Sequence, residues 1–270
     1  AGQCPQKTQF SGTPMAATVL SGTSGALYYT PAGTRGQFAT SAVDTSGDAI
    51  TLDPFLGFRV GDPVKFSVVN SSTGLAGTGT LPAGIVAGTV YYVISYTQST
   101  GVMQVSATEG GSAITITDAG TATSPNVFQV NYSDFASVAQ VREWSFDITR
   151  DEIDVTTIGK TPGEFTPFRT FIAGFADGSG SATVYFTDND ESLANRMVED
   201  VIRRIQTGCK LKLYTDQVFT SGTLDDTKSR SIEFEANLLS ANFTINPDDA
   251  QSVEINFRPT TSPTFDLSKS

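Results

Sequence analysis

Carboxylates in close groups are the chain's main chemical resource: Asp151, Glu152 and Asp154; Asp188, Asp190 and Glu191; Asp225 and Asp226; Asp248 and Asp249. Two carboxylates flanking a cleft at a fixed separation, with aromatic platforms nearby, can cleave a glycosidic bond. Here each group falls where the pattern predicts a turn or a helix cap, positions that Asp favours because its carboxylate accepts from nearby backbone amides. Asp188-x-Asp190-x-Ser192, with Glu199 at the twelfth position, has calcium-loop spacing. Its sixth position, which needs glycine, is Leu193, and a helical apolar pattern already starts there. Gly77-Thr78-Gly79 and Gly178-Ser179-Gly180 lack the lysine and the strand-to-helix setting of a phosphate loop and read as turns. Cys4 and Cys209 are too few and too far apart for a zinc site or a disulfide framework, and the chain has no histidine. No catalytic residue, metal or cofactor is expected, and the chain is read as a non-enzyme.

Composition narrows the partners. A formal charge of −11 with no Lys/Arg run is unsuited to groove-type nucleic-acid binding, which needs clustered cations to displace phosphate counterions. No stretch approaches the ~20 apolar residues of a membrane helix. The start of the chain, Ala1-Gly2-Gln3-Cys4-Pro5, does not have the form of a signal peptide, and two unpaired thiols fit a reducing compartment.

The elements that would position these groups fall into three parts. Residues 1–35 are an arm rich in small residues with one apolar knot, Ala26-Leu27-Tyr28-Tyr29-Thr30. Residues 36–134 alternate short apolar segments with turn signals, predicting strands near 49–52, 64–69, 90–94, 102–105 and 113–117 and hence a small all-β module. Residues 135–270 form the main domain. There Trp144, Phe146 and Ile148 alternate with Ser145, Asp147 and Thr149, the pattern of a strand wet on one face. Two strands around a Gly-rich turn follow over 169–187. An apolar stripe of Leu193, Ala194, Met197, Val198, Val201, Ile202 and Ile205 predicts one helix over 190–207, capped by Asp188 and Glu191 and ended at Gly208. Strands near 210–214, 231–238 and 252–258 complete the reading, with a further one possible at 241–245. The fold class is mainly β: a sandwich or barrel core with one flanking helix, plus an inserted all-β module.

The segment Trp144-Ser145-Phe146-Asp147, followed by Asp151-x-Ile153-Asp154-x-Thr156-Thr157 and Gly159, resembles the central strand pair of phage major tail tube proteins. Ala26-Leu27-Tyr28-Tyr29-Thr30-Pro31-Ala32-Gly33-Thr34 resembles the first strand of that family, so the likeness runs over 26–34 and from 136 onward. The module over 36–134 is then an insertion, expected on the tube exterior.

The resemblance implies a structural virion protein that forms hexameric rings, stacked into a tube through which DNA passes without tight binding. It implies a tape-measure protein inside the growing tube, tail terminator and distal tail proteins at its ends, and assembly in the host cytoplasm into the virion tail. Asp147, Thr149, Glu233, Glu235 and Glu254 are the candidates for a lumen-facing surface, where negative charge keeps phosphates from sticking. An ordinary solvated sheet face is the alternative. Asp151, Glu152, Asp154, Thr156, Phe165 and Phe168 are the candidates for a loop reaching the adjacent ring; a loop folded on its own sheet is the alternative. A bulky outer module favours a non-contractile tail. Two rivals remain. One is a virion or cell-surface decoration protein whose module binds glycans on Tyr91, Tyr92 and Tyr96. The other is a glycan-cleaving enzyme using Asp151, Glu152 or Asp154.

Overall fold

Two antiparallel sheets, each with its own apolar core, organise the computed structural model, which describes residues 24–133, 135–139, 141–155, 169, 171–185, 193–245 and 250–267. In chain order the elements are β1 (Ala26–Thr30), β2 (Arg35–Phe38), β3 (Val43–Asp44), β4 (Ala49–Thr51), β5 (Pro63–Asn70), β6 (Val90–Thr97), β7 (Val102–Ser106), β8 (Asn126–Tyr132) and β9 (Ala136–Ser137). They continue with β10 (Val141–Asp154), β11 (Phe171–Tyr185), helix α1 (Leu193–Asp200), β12 (Lys210–Asp216), β13 (Phe219–Thr220), β14 (Thr223–Leu224), β15 (Arg230–Thr244), β16 (Ser252–Pro259) and β17 (Thr264–Asp266).

The main sheet runs β10-β11-β16-β15-β12-β1-β9, with β17 beside β15. It curls into a half-barrel. Phe146 on β10 stacks on Phe234 of β15 at 4.8 Å, although two strands lie between theirs in the sheet. Leu27, Tyr29, Leu211, Leu213, Ile255 and Phe257 fill the concave side, and α1 closes it with Ala194 and Met197, both fully buried. Burial of this apolar surface is the main force holding the curl.

The second sheet runs β2-β8-β5-β6-β7-β4-β3 and lies wholly between β1 and β9 in the chain. Those two strands pair with each other, Tyr29 opposite Ala136, so the chain leaves the main sheet and re-enters it at adjacent points. Phe58, Phe66, Val93, Met103, Phe128 and Val130 form its core.

Several elements differ from the sequence expectation. The helix ends at Asp200 instead of extending to 207: the amides of Val201, Ile202 and Arg203 bond only three residues back, to Val198, Glu199 and Asp200, while the Asp200 carboxylate turns inward to accept from the Tyr29 hydroxyl at 2.8 Å and the Ala32 amide at 3.0 Å. Beyond it Ile205 packs against the module core, while Ile202 faces solvent. Gly208 is left-handed, φ 79°, but it sits in the turn before β12. The capping residues Asp188 and Glu191 lie outside the described residues.

The Gly-rich stretch at 178–180 is no turn. β11 runs through it unbroken because a Cβ at Gly180 would stand 2.5 Å from the Phe257 ring and 2.6 Å from the Ser145 carbonyl oxygen. Residues 113–117 are not a strand: the Ile114 amide donates to Val105, and the Ile116 amide to the Asp48 carboxylate. The 231–238 and 241–245 segments are largely one strand, β15, which carries an extra residue, Leu239, opposite β16. Strands β2 and β8 lie outside the sequence expectation.

Candidate assembly surface

Strand register defines one polar face on the convex side of the half-barrel. Glu143, Thr183, Glu254 and Asn242 form a row across β10, β11, β16 and β15. Ser145, Ser181, Asn256 and Ser240 form the next, tied by Ser145–Ser181 and Asn256–Ser240 hydrogen bonds of 3.0 Å each. Asp147 opposite Ser179 and Thr149 opposite Asp177 continue the same face. Its charges are Glu143, Asp147, Asp177 and Glu254 against Arg258, which pairs with Asp177 at 2.5 Å. The face is acidic, with its hydroxyls and amides turned to solvent.

Three of the five proposed lumen residues, Asp147, Thr149 and Glu254, therefore lie together. Glu233 and Glu235 do not join them. They occupy the part of β15 that pairs with β12, opposite Lys212 and Lys210, and Glu235 binds Arg35 at 2.8 Å. Sequence alternation places all five on one side of their strands, but it cannot show that β15 changes partners midway. Glu143 and Asp177 belong to the acidic face and were missed; Glu143 was legible from the same alternation.

Strand β10 is an edge. Over 14 residues it pairs with β11, and no other strand lies beside it among the described residues. An edge of that length presents a row of free backbone donors and acceptors to another chain. The β10–β11 hairpin also outruns the core. Past Ile148 its residues are exposed on both faces, with Ile153, Phe171, Ile172 and, at 86% exposure, Phe175 in solvent. A free two-stranded ribbon is marginally stable in water, so these apolar groups call for a partner.

Asp151, Glu152 and Asp154 lie on β10 itself, not in a turn. Glu152 pairs with Ala173 and Asp154 with Phe171, and an extra residue on β11 bulges the ladder between them and Arg150. Spread along an exposed ribbon, they enclose no cleft. Thr156, Phe165 and Phe168 lie outside the described residues.

Between the sheets lies a polar joint. Arg196 of α1 and Asp62 of the module are each 5% exposed and joined at 2.5 and 2.8 Å, with a further bond of 2.8 Å from Arg196 to the Gly57 carbonyl. Gly33 and Gly57 cross in contact, the Gly57 amide donating to Gly33 at 2.7 Å, where a Cβ on Gly57 would overlap the Ala32 carbonyl oxygen at 2.0 Å. Behind the joint, burial and the nearby Asp200 carboxylate push the Cys209 thiol up to about 12.

The remaining carboxylates are structural. Asp225 accepts from Thr227, Lys228 and Thr220 in a turn, and these donors, Thr227 above all, hold it well below the usual carboxylate range. Asp226 receives Lys212 and the Tyr214 hydroxyl. Asp248 and Asp249 are outside the described residues. Among the described residues no group of three or more His, Cys, Asp or Glu could hold a metal, and no helix is long and apolar enough to cross a membrane. Tyr91 is buried, which removes one of the three aromatic platforms that the glycan-binding reading needs.

No protein-family model matches the chain, and no curated protein matches it. Among solved structures, a chain in the C6-symmetric tail of an empty gene transfer agent particle aligns at 15% identity and TM-score 0.34, over 48% of this chain and 85% of that one. A chain from the virion of a native gene transfer agent particle aligns at 14% identity and TM-score 0.34, over 48% and 88%. The SPP1 tail tube aligns at 13% identity and TM-score 0.37, over 51% and 70%.

Proposed function

We propose that this chain is a self-assembling structural subunit of a phage-type tail tube. The observation that carries the reading is the β10 edge, joined to a convex acidic face and an over-long hairpin. Pairing of such edges between copies closes a barrel and removes the exposed ladder. With the four-stranded face of β10, β11, β16 and β15 turned inward, Glu143, Asp147 and Glu254 line the bore and repel phosphates, and DNA slides past. The sequence likeness over 26–34 and from 136 onward falls on this sheet and not on the module.

On this reading six copies close a ring and rings stack. A tape-measure protein occupies the bore during assembly in the host cytoplasm, and terminator and distal proteins cap the ends of the finished virion tail. The module over 36–134 sits outside, since its bulk would obstruct the channel. Negative-stain electron microscopy of the purified chain across a concentration series tests the proposal. Rings or hollow tubes of uniform bore are expected; solid fibrils or featureless aggregates would argue against it.

A further inference from the structure

A groove of about 750 Å³ lies where α1 meets the module, lined by Phe55, Gln98, Glu199, Ile202, Arg203, Arg204 and Ile205. Its apolar walls are unusually exposed. Ile202 is 88% and Phe55 62% accessible. Phe55 also has φ 62°, a conformation that bulky side chains rarely adopt. The surroundings enforce it: the Phe55 amide donates to Gln98 at 2.8 Å, and Tyr96 bridges Asp53 and Leu56. A strained backbone that holds a phenyl ring in solvent points to a binding role for that ring. Of the groove's charges, Arg203 is met by Asp200 and Glu199 by Arg59, while Arg204 has no ion pair among the described residues. The groove is therefore apolar with a net positive rim.

The distal β10–β11 hairpin has the complementary character. It exposes Phe171, Ile172 and Phe175, and among its charges without an ion pair in the described residues Asp151 and Glu152 outnumber Arg150, which leaves it net negative. Within one chain the two surfaces do not cover each other, since Phe175 and Ile202 are both almost fully exposed. We infer that the groove of Phe55, Ile202 and Arg204 receives the distal hairpin of a second copy of this chain. The inference rests on the tube reading and names an acceptor for its stacking contact. Donor and acceptor are different surfaces of the same chain, so the contact is heterologous and can repeat from copy to copy along an axis, as a stack requires. An aromatic anchor in an apolar groove beside an arginine is the composition that dominates interface energies.

The test uses full-length chains carrying Cys4→Ser, with Cys209 left in the core. One preparation carries Gln98→Cys at the groove and another Ala173→Cys on the hairpin; both sites are exposed, both leave Ile202 and Phe175 in place, and matching thermal melts would establish that the folds are intact. Mixed and treated with a short bismaleimide, they should give a cross-linked pair at least tenfold above a mixture in which exposed Leu75→Cys replaces Gln98→Cys. Arg204→Glu in the first preparation should suppress the product, and Glu152→Arg with Asp151→Arg in the second should restore it. Equal yields from the Gln98→Cys and Leu75→Cys mixtures, or no product, overturn the groove assignment. Microscopy of the wild-type chain reads the tube separately: tubes without this cross-link remove the groove and keep the tube, and the cross-link without tubes does the reverse.

Discussion

At the scale of single residues, the joint between the sheets depends on Arg196 and Asp62. Burial alone lowers the affinity of a guanidinium for its proton, but the hydrogen-bonded Asp62 carboxylate more than offsets this, and the guanidinium holds its proton more tightly than in water. Removing one partner of a buried pair strands the other charge at a cost of about 3–5 kcal/mol. Arg196→Met should therefore lower Tm by on the order of 10 °C, while Arg196→Met with Asp62→Leu should regain most of that loss in the same calorimetric scan. Nothing in the residue pattern hints at this pair. Arg196 falls within a helix whose apolar stripe is plain, and its partner lies 134 positions away. Cys209 yields a second prediction. Its folded pKa of about 12 lies above the ordinary thiol value of 9.0, with desolvation the largest cause. The folded state thus holds the proton that the unfolded state releases. The contribution to stability is complete below pH 9 and is lost as the pH rises through about 12. In a Cys4→Ser background the native thiol should react with a maleimide at pH 8 at least a hundredfold more slowly than in denaturant; equal rates would contradict the burial.

At the scale of elements, strand alternation was legible wherever one face met the core. Trp144 and Phe146 pack against it as their spacing predicts, and β5, β6, β7, β12 and β16 fall within a few residues of expectation. The errors came from glycine and from partner changes, which alternation does not encode. Gly178 and Gly180 read as a turn because glycine marks turns more often than close packing, yet at Gly180 the missing side chain makes room for the Phe257 ring. Gly180→Val should cost about 1–3 kcal/mol by overpacking, with part recovered by Phe257→Leu. A turn at this position would show no coupling to Phe257. The acidic face was half legible for a related reason: alternation puts Glu143, Asp147 and Glu254 at polar-face positions, but only the register joins Glu254 to the other two and separates them from Glu233 and Glu235.

At the scale of the whole molecule, the chain is a curled sheet interrupted by a second sheet, and the two are joined by the buried Arg196–Asp62 pair and, nearer the surface, by Arg35–Glu235 and Arg59–Glu199. The exits of the insertion are neighbours, since Tyr29 pairs with Ala136 across β1 and β9. A short turn replacing residues 35–132 could therefore close β1 onto β9 as a hairpin, with no change in the half-barrel core, whose residues all lie outside that range. Deletion alone would expose Arg196, which loses Asp62, the Gly57 carbonyl and the Tyr132 ring together. It would also expose the apolar face of Ile205, which packs against the module core. The shortened chain should then fold best when Ile205→Ser accompanies the deletion, because arginine returned to water no longer needs its partner while exposed isoleucine favours aggregation. If the module lies outside a tube, this shortened chain should form tubes of unchanged bore and smaller outer diameter under the electron microscope. A widened bore would place the module in the channel, and loss of rings with retained folding would make it part of the contact between copies.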